Sequence, residues 1–236
     1  MSAAPGRPEQ ARTEAGDEGI PVSASTFDGL PGQGVEAIDT PVLVIDLDAM
    51  DRNIARMAAF AQAHKIRWRP HAKMHKSAVL AQRMVAAGAV GVCVQKTAEA
   101  EAMAAGGVRD IYISNEVIAP HKLARVAALA RRLAETKGGQ PPGQLAIAVD
   151  SAEGVARLAA AAQQALAGTD AAIDVFVEID VGHGRCGLPA GAAAVPVARQ
   201  IAAAGHLRFA GLQAYHGRAQ HVRTAEERRS IIASVL

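Results

Sequence analysis

The sequence predicts an α/β fold of the (β/α)8 barrel type, incomplete, with about six barrel strands present. From Thr40 onward, short apolar runs alternate with longer amphipathic segments, and this alternation is typical of parallel sheets with right-handed crossovers. Half of the 236 residues are hydrophobic and only 3% are aromatic, so aliphatic side chains must fill the core. Several strands also have one apolar face and one face that becomes polar toward the C-terminal end, which indicates a barrel with a polar site at its mouth.

The elements follow one another along the chain in strict alternation. Strands are predicted where short apolar runs occur, at Val42–Asp46, Ile66–His71, Val90–Gln95, Asp110–Asn115, Leu145–Asp150, Asp174–Asp180 and Leu207–Tyr215. Helical patterns lie between them, at about 48–64, 77–87, 97–105, 120–137, 152–167 and 190–204, and a last one begins near Thr224. If Ile66–His71 opens the barrel, six of eight strands are present.

The strand Asp174–Asp180 shows why a barrel is favoured over a doubly wound sheet. Val175 and Val177 share a face that suits packing against helices, while Phe176 and Glu178 share the opposite face with the terminal aspartates. A doubly wound sheet would require two apolar faces. One residue conflicts with the pattern, because Pro70 is disfavoured within a central strand.

The chain is predicted to contain one folded domain and an extension. Residues 1–36 are rich in Ala, Gly, Pro, Glu and Ser without apolar periodicity, which is typical of a disordered segment. Residues 37–236 form the predicted barrel domain.

Composition excludes several functional classes. The net charge is +2 and no basic run has interleaved aromatic residues, so nucleic acid is not an expected partner. No apolar stretch reaches the length needed to span a membrane, and the N-terminus lacks the apolar region of a secretory signal. Cys93 and Cys186 show no metal-type spacing. They are therefore interpreted as reduced thiols of a cytoplasmic protein.

The segment Arg69–Ser77 contains the most informative residues. Side chains alternate faces along a strand, so Arg69, His71 and Lys73 are expected to share one side. A lysine that faces into a barrel near the end of a strand can form a Schiff base with an aldehyde. The alternative is a strand end with solvated basic residues, which is common.

Six segments together resemble the fold-type III, pyridoxal-phosphate-dependent enzymes that act on D-amino acids, a family that includes D-threonine aldolase, D-serine dehydratase and 3-hydroxy-D-aspartate aldolase. The resemblance extends from Thr40 to about Arg229 and is strongest to the hydroxyaspartate aldolases. It is carried by residues 40–48, 71–77, 90–96, 114–117, 176–187 and 211–215. It implies a barrel like the N-terminal domain of alanine racemase.

The resemblance also implies roles for individual residues. The family's Schiff-base lysine corresponds to Lys73, with Lys76 as the second candidate because it lies beyond the strand beside Ser77, a plausible helix N-cap. Cofactor contacts are implied for Gln95, Arg185 and Tyr215. The alternatives are that Gln95 satisfies backbone groups, Arg185 is a surface turn residue and Tyr215 fills the barrel.

Other polar residues near the strand ends have structural interpretations. His71 and His75 are read as orienting or packing residues, because a metal site requires three or four convergent groups. Glu178 and Asp180 are read as a structural ion-pair set inside the barrel. No family role corresponds to His183 or His216.

The family's glycine-rich phosphate loops and divalent-metal site (Mg, Mn or Zn) follow the last barrel strands. We expect them, the C-terminal strands and the β-domain to lie beyond residue 236, so that this chain holds no metal ligands and is inactive alone.

The resemblance implies a lyase that cleaves the Cα–Cβ bond of a β-hydroxy-D-amino acid, of the 3-hydroxyaspartate or D-threonine type, to glycine and an aldehyde such as glyoxylate. The alternatives are β-elimination, as in D-serine dehydratase, and a truncated protein that binds the cofactor without catalysis. A homodimer is implied for the full-length form.

Overall fold

The computed structural model describes residues 30–135, 139 and 141–235. The chain divides into two units, Met1–Asp46 and Leu47–Leu236. Within the described part of the first unit, Val35–Ala37 forms a short 3-10 helix. The predicted strand Val42–Asp46 is wrong, since these residues form neither a strand nor a helix. Residues 1–29 of the predicted disordered extension lie outside the described residues, and the boundary at residue 36 stays a prediction.

The second unit alternates helices and strands as predicted. Its helices are α1 (Leu47–Ala63), α2 (Ala78–Ala86), α3 (Thr97–Ala105), α4 (Pro120–Ala134), α5 (Ala152–Leu166), α6 (Ala194–Ala203) and α7 (Ala225–Ala233). Its strands are β1 (Val92–Val94), β2 (Asp110–Glu116), β3 (Gln144–Val149), β4 (Ile173–Asp180), β5 (Leu188–Pro189) and β6 (Leu207–Gln213). A 3-10 helix, Gly217–His221, follows β6.

All the pairings between these strands are parallel. Strands β1 to β4 pair in chain order, and β4 then pairs with β6 along most of its length and with β5 at its C-terminal end. The described strands do not close into a complete barrel, which confirms the predicted incomplete barrel type. Strand β5 was not predicted, because two residues are too few to give a periodic signal.

The segment before β1 joins the sheet only in part. Cys93 N donates to Pro70 O (2.8 Å), Ala72 N donates to Cys93 O (2.7 Å), and Val90 N donates to Trp68 O (3.1 Å). A single parallel bridge joins His71 to Cys93. Pro70 has no N–H to contribute to the ladder, which explains why the predicted strand Ile66–His71 is reduced to a bridge.

The core lies between the outer face of the sheet and the helices. Ile111, Ile147 and Val175 from the strands are at most 1% exposed, as are Val126 and Leu158 from the helices. Helices begin at side-chain caps where the sequence offers them: Ser77 Oγ accepts from Leu80 N, Ser151 Oγ from Gly154 N and Thr224 Oγ1 from Glu227 N. None of the described helices is both long enough and apolar enough to cross a membrane.

The packing of Ile147 gives a test of this core. Ile147→Ala removes a side chain that is 1% exposed in β3, and we expect it to lower the free energy of unfolding by about 2–5 kcal/mol. The measurement is urea denaturation followed by circular dichroism. Ile232→Ala, at a position that is 40% exposed on α7, is the matched control and should change stability by less than about 1 kcal/mol. Equal losses in the two variants would contradict the placement of the core.

Candidate active site

The C-terminal ends of the strands surround a cleft of about 190 Å³. It is lined by side chains from the bridge segment, β1, β2, β6 and the loops that follow β4 and β6, namely His71, Lys73, Cys93, Gln95, Tyr112, Ser114, Arg185, Gln213 and Tyr215. All four residues proposed from the sequence as site residues, Lys73, Gln95, Arg185 and Tyr215, are among them. Their roles stay predictions, but the structure brings them together.

The two candidate lysines point to different places. Lys73 lines the cleft. Lys76 has a left-handed backbone (φ 51°) and its Nζ lies 3.7 Å from Glu99 Oε1 on α3, outside the cleft lining. The geometry therefore favours Lys73 as the reactive amine.

A chain of hydrogen bonds connects Lys73 to β2. His71 Nδ1 accepts from Lys73 N (3.3 Å), and His71 Nε2 lies 3.1 Å from Gln95 Oε1. Gln95 Nε2 donates to Ser114 O (3.2 Å). Ser114 follows the last residue pair between β1 and β2, Val94 with Ile113, and its carbonyl accepts from the Gln95 side chain. Gln95 therefore lines the cleft and also links His71 to Ser114 through its side-chain amide.

Burial lowers the pKa of His71 below its usual value. The hydrogen bond with Gln95 offsets part of this effect, and the charge of Lys73 adds to the lowering. A lowered pKa keeps the imidazole neutral near pH 7. A neutral ring is able to accept a hydrogen bond from Lys73 N.

A second network holds Arg185. Glu178 is 3% exposed on the inner face of β4, and its Oε1 lies 3.5 Å from Arg185 Nη2. Gln213 Nε2 donates to Glu178 Oε2, and Tyr112 Oη donates to Gln213 Oε1. A buried carboxylate needs such partners. The predicted ion pair inside the barrel therefore exists for Glu178, with Arg185 as the cation.

Tyr215 lies between Arg185 and His183 at the mouth of the cleft. The Arg185 guanidinium carbon is 5.3 Å from the centre of the Tyr215 ring, within cation–π range. His183 contacts the same ring edge-on, at 5.4 Å between centroids. Gln220 Nε2 donates to Tyr215 Oη (2.8 Å). Tyr215 is 38% exposed, so it borders the cleft and does not fill the barrel.

Asp180 organises the loop that carries Arg185. Its Oδ1 accepts from Gly182 N and Gly184 N, both at 3.0 Å, and these backbone donors hold the pKa of Asp180 below its usual value, with Gly184 the largest contributor. Gly187 has φ +103°, and a Cβ there would lie 2.6 Å from Asp180 N. Glycine is therefore required at this turn. Asp180 caps a loop, contrary to the interpretation that it belongs to the ion-pair set.

A second carboxyl group approaches Glu178 from β2. Burial, together with a hydrogen bond to Glu178 and the charge of that carboxylate, raises the pKa of Glu116 to about 7. Glu116 is therefore largely protonated in the lower part of the neutral range and can donate to Glu178.

Sequence reasoning gave no site role to Ser114, Tyr112 or Gln213. Two signals were available. Tyr112 alternates with the buried Ile111 and Ile113 along β2, and Gln213 shares a face with Tyr215. No sequence signal marks the Ser114 carbonyl as the partner of Gln95.

Comparison with known proteins identifies the domain. The profile of the family described as alanine racemase, N-terminal domain, matches residues 45–235. The chain belongs to this family.

Three relatives of this family member are informative. A D-threonine aldolase of Arthrobacter sp. is 43% identical over 201 residues, which cover 85% of the chain and 49% of that protein. A 3-hydroxy-D-aspartate aldolase of Paracoccus denitrificans (strain Pd 1222) is 44% identical over 203 residues, which cover 85% of the chain and 49% of that protein. The crystal structure of D-threonine aldolase from Filomicrobium marinum superposes with a TM-score of 0.76 at 42% identity, over 84% of the chain and 50% of that structure. The chain spans about half the length of the curated relatives it matches.

The cleft fits a cofactor such as pyridoxal phosphate on chemical grounds. It offers a primary amine for a carbonyl group, a guanidinium for an anionic oxygen and a tyrosine ring, and no carboxylate is among its lining residues. A divalent metal is a different case. Among residues 30–135, 139 and 141–235, no group of three or more His, Cys, Asp or Glu side chains could hold a metal ion. The described residues therefore do not fit the metal that the resemblance implies.

The raised pKa of Glu116 makes a pH-dependent prediction. The folded protein binds this proton up to about pH 7, whereas the unfolded chain releases it near its ordinary pKa of about 4.3. The protonated Glu116 therefore stabilises the folded protein fully below the pKa of the unfolded chain. This stabilisation is lost as pH rises through 7. Glu116→Gln mimics the protonated group, so its stability relative to wild type should rise by about 2 kcal/mol between pH 5 and 8.

The measurement is chemical denaturation of both proteins across that pH range. Glu226→Gln, at an exposed position on α7, is the control and should not show this rise. A difference between wild type and Glu116→Gln that does not vary with pH would contradict the protonated carboxyl.

Proposed function

We propose that the protein is a pyridoxal-phosphate-dependent lyase that cleaves the Cα–Cβ bond of a β-hydroxy-D-amino acid. The products are glycine and an aldehyde, which is glyoxylate when the substrate is 3-hydroxyaspartate. The observation that carries the proposal is the convergence of Lys73, Arg185 and Tyr215 on one cleft. The aldolase names of the relatives that are 43% and 44% identical support it.

The cofactor supplies an electron sink for the bonding electrons of the cleaved bond. Lys73 would hold the cofactor through its carbonyl group, because its side chain supplies the amine that lines the cleft. The alternative amine, Lys76, is paired with Glu99 outside the cleft lining, so it is not positioned for this role.

Arg185 provides fixed positive charge on the same side as Tyr215. Its guanidinium is held by Glu178 and packed over the Tyr215 ring. Because both partners fix it before a ligand binds, Arg185 can orient an anionic oxygen with little reorganisation. Gln213 donates to Glu178 and is itself held by a hydrogen bond from Tyr112. The carboxylate therefore remains buried without turning into the cleft.

Four further features belong to this proposal. The relatives' names support a small hydroxy amino acid as substrate. A cytoplasmic location is proposed from the two free thiols, Cys93 and Cys186, which suit a reducing compartment. A homodimer and a divalent metal stay predictions for the full-length protein, and no step is assigned to the metal.

The reaction is tested by product analysis. The protein in its full natural length, supplied with pyridoxal phosphate and a divalent metal, should release glycine from D-threonine or D-3-hydroxyaspartate. The measurement is chromatography of the amino products together with an aldehyde assay. Pyruvate and ammonia from D-serine, without glycine from any hydroxy amino acid, would favour β-elimination instead. Cofactor absorbance without turnover would favour a binding protein.

The attachment site is tested by chemical trapping on the 236-residue chain. Borohydride reduction with pyridoxal phosphate should label Lys73, and peptide mass mapping identifies the labelled lysine. Lys73→Ala should remove the specific label, because no second amine lines the described cleft. Lys76→Ala, three residues away, is the matched control and should be labelled like wild type. A label on Lys76 would overturn the assignment of Lys73.

A further inference from the structure

The hydrogen-bond chain behind Lys73 has two ends whose chemical roles are fixed. At one end, Lys73 N–H is a backbone amide that can only donate. At the other end, Ser114 O is a backbone carbonyl that can only accept. Between them lie two side chains that could each be oriented in more than one way, the imidazole of His71 and the amide of Gln95. Their orientations follow from the two ends.

The direction of the chain can be followed from the carbonyl. Ser114 O requires a donor, so the nitrogen of the Gln95 amide faces it and Oε1 faces His71. Oε1 in turn requires a donor, which His71 provides only when Nε2 carries the proton. His71 Nδ1 is then unprotonated and accepts from Lys73 N. Every bond runs in one direction, and the ring is neutral.

We propose that His71 is a positioning residue for Lys73, acting as a neutral imidazole protonated on Nε2 and held in that tautomer by Gln95. This inference rests on the proposed role of Lys73 as the reactive amine. Ala72, the preceding residue, is 2% exposed and its N–H donates to Cys93 O, whereas Lys73 lies within the turn that follows the bridge. His71 thus supplies the acceptor for an amide that no neighbouring strand pairs.

Ser114 adds a side-chain contact that does not alter this direction. Its Oγ is within donating distance of two acceptors, Val94 O (3.3 Å) and Gln95 Oε1 (3.4 Å), and lies 3.4 Å from His71 Nε2. Whichever of the two acceptors takes the hydroxyl proton, the oxygen is available as a second acceptor for the proton on Nε2. The hydroxyl therefore reinforces the same tautomer.

The tautomer is measured directly by ¹⁵N nuclear magnetic resonance of the imidazole rings at neutral pH, with and without pyridoxal phosphate. Protonated and unprotonated ring nitrogens resonate far apart. His206 Nδ1 lies 2.9 Å from Ala171 O and His64 Nδ1 lies 2.9 Å from Phe60 O, so both rings must carry the proton on Nδ1 and serve as internal controls of the opposite tautomer. His75 Nδ1 accepts from Ser77 N and should resemble His71, so His71→Asn is used to assign the His71 signal.

Two variants separate positioning from a general structural role. In His71→Asn, Oδ1 replaces Nδ1 and can still accept from Lys73 N, whereas in His71→Gln the amide reaches the position of Nε2 and cannot. The Lys73 amide should therefore exchange with solvent roughly three- to tenfold faster in the Gln variant than in the Asn variant. The affinity for pyridoxal phosphate, followed by absorbance, should be lower in the Gln variant than in the Asn variant.

The outcomes are distinct. A proton on Nδ1 of His71, a charged ring at neutral pH, or equal exchange of the Lys73 amide in the two variants would overturn the inference. The wild-type spectrum alone decides the tautomer if a variant fails to fold. Failure of borohydride to label Lys73 in wild type, with His71 protonated on Nε2, would instead count against the proposed function while the hydrogen-bond chain stands.

Discussion

The site depends on the pairing of one short segment with β1. Two backbone hydrogen bonds, from Cys93 N to Pro70 O and from Ala72 N to Cys93 O, fix the register of this segment. Because side chains alternate faces in extended backbone, this register sends His71 toward Gln95 and Ser114 on the inner face. A slip of one residue would turn His71 away from these partners and remove the acceptor next to Lys73. The ladder at this edge of the sheet is therefore small, yet it determines where the proposed reactive amine lies.

Buried polar networks of this kind are favourable only when every member has a partner. The two networks differ in their charge. The first runs from Lys73 N to Ser114 O through neutral groups, so it needs no compensating charge. The second surrounds the carboxylate of Glu178 with Gln213, Arg185 and Glu116, whose pKa is raised to about 7. One network holds the backbone of Lys73 and the other holds the guanidinium of Arg185, and both are built from neighbouring strands. Both residues are therefore held in place before any ligand enters the cleft.

Much of this arrangement could be predicted from the sequence. Lys73, Gln95, Arg185 and Tyr215 follow strands, and parallel strands bring their C-terminal ends to one edge. Other features depend on backbone details that composition does not encode. The distinction between Lys73 and Lys76 rests on a turn with φ 51° at Lys76. The contact between Gln95 and the Ser114 carbonyl depends on where the pairing of β1 with β2 ends, at Val94 and Ile113. Val42–Asp46 has the composition of a strand, but a strand also requires a neighbouring strand with which to pair. Local composition does not show whether one is present.

Hydrogen–deuterium exchange of the Ala72 and Cys93 amides tests most directly whether this segment is held in the sheet. The account predicts that both amides are protected at least about a hundredfold relative to an unstructured chain, because both donate across the bridge. The amide of Ile147 in the central strand β3 provides the reference for a fully protected position. Exchange of Ala72 and Cys93 at the rate of an unstructured chain, with Ile147 still protected, would show that residues 66–72 are not paired with β1 and would contradict the placement of Lys73 in the cleft.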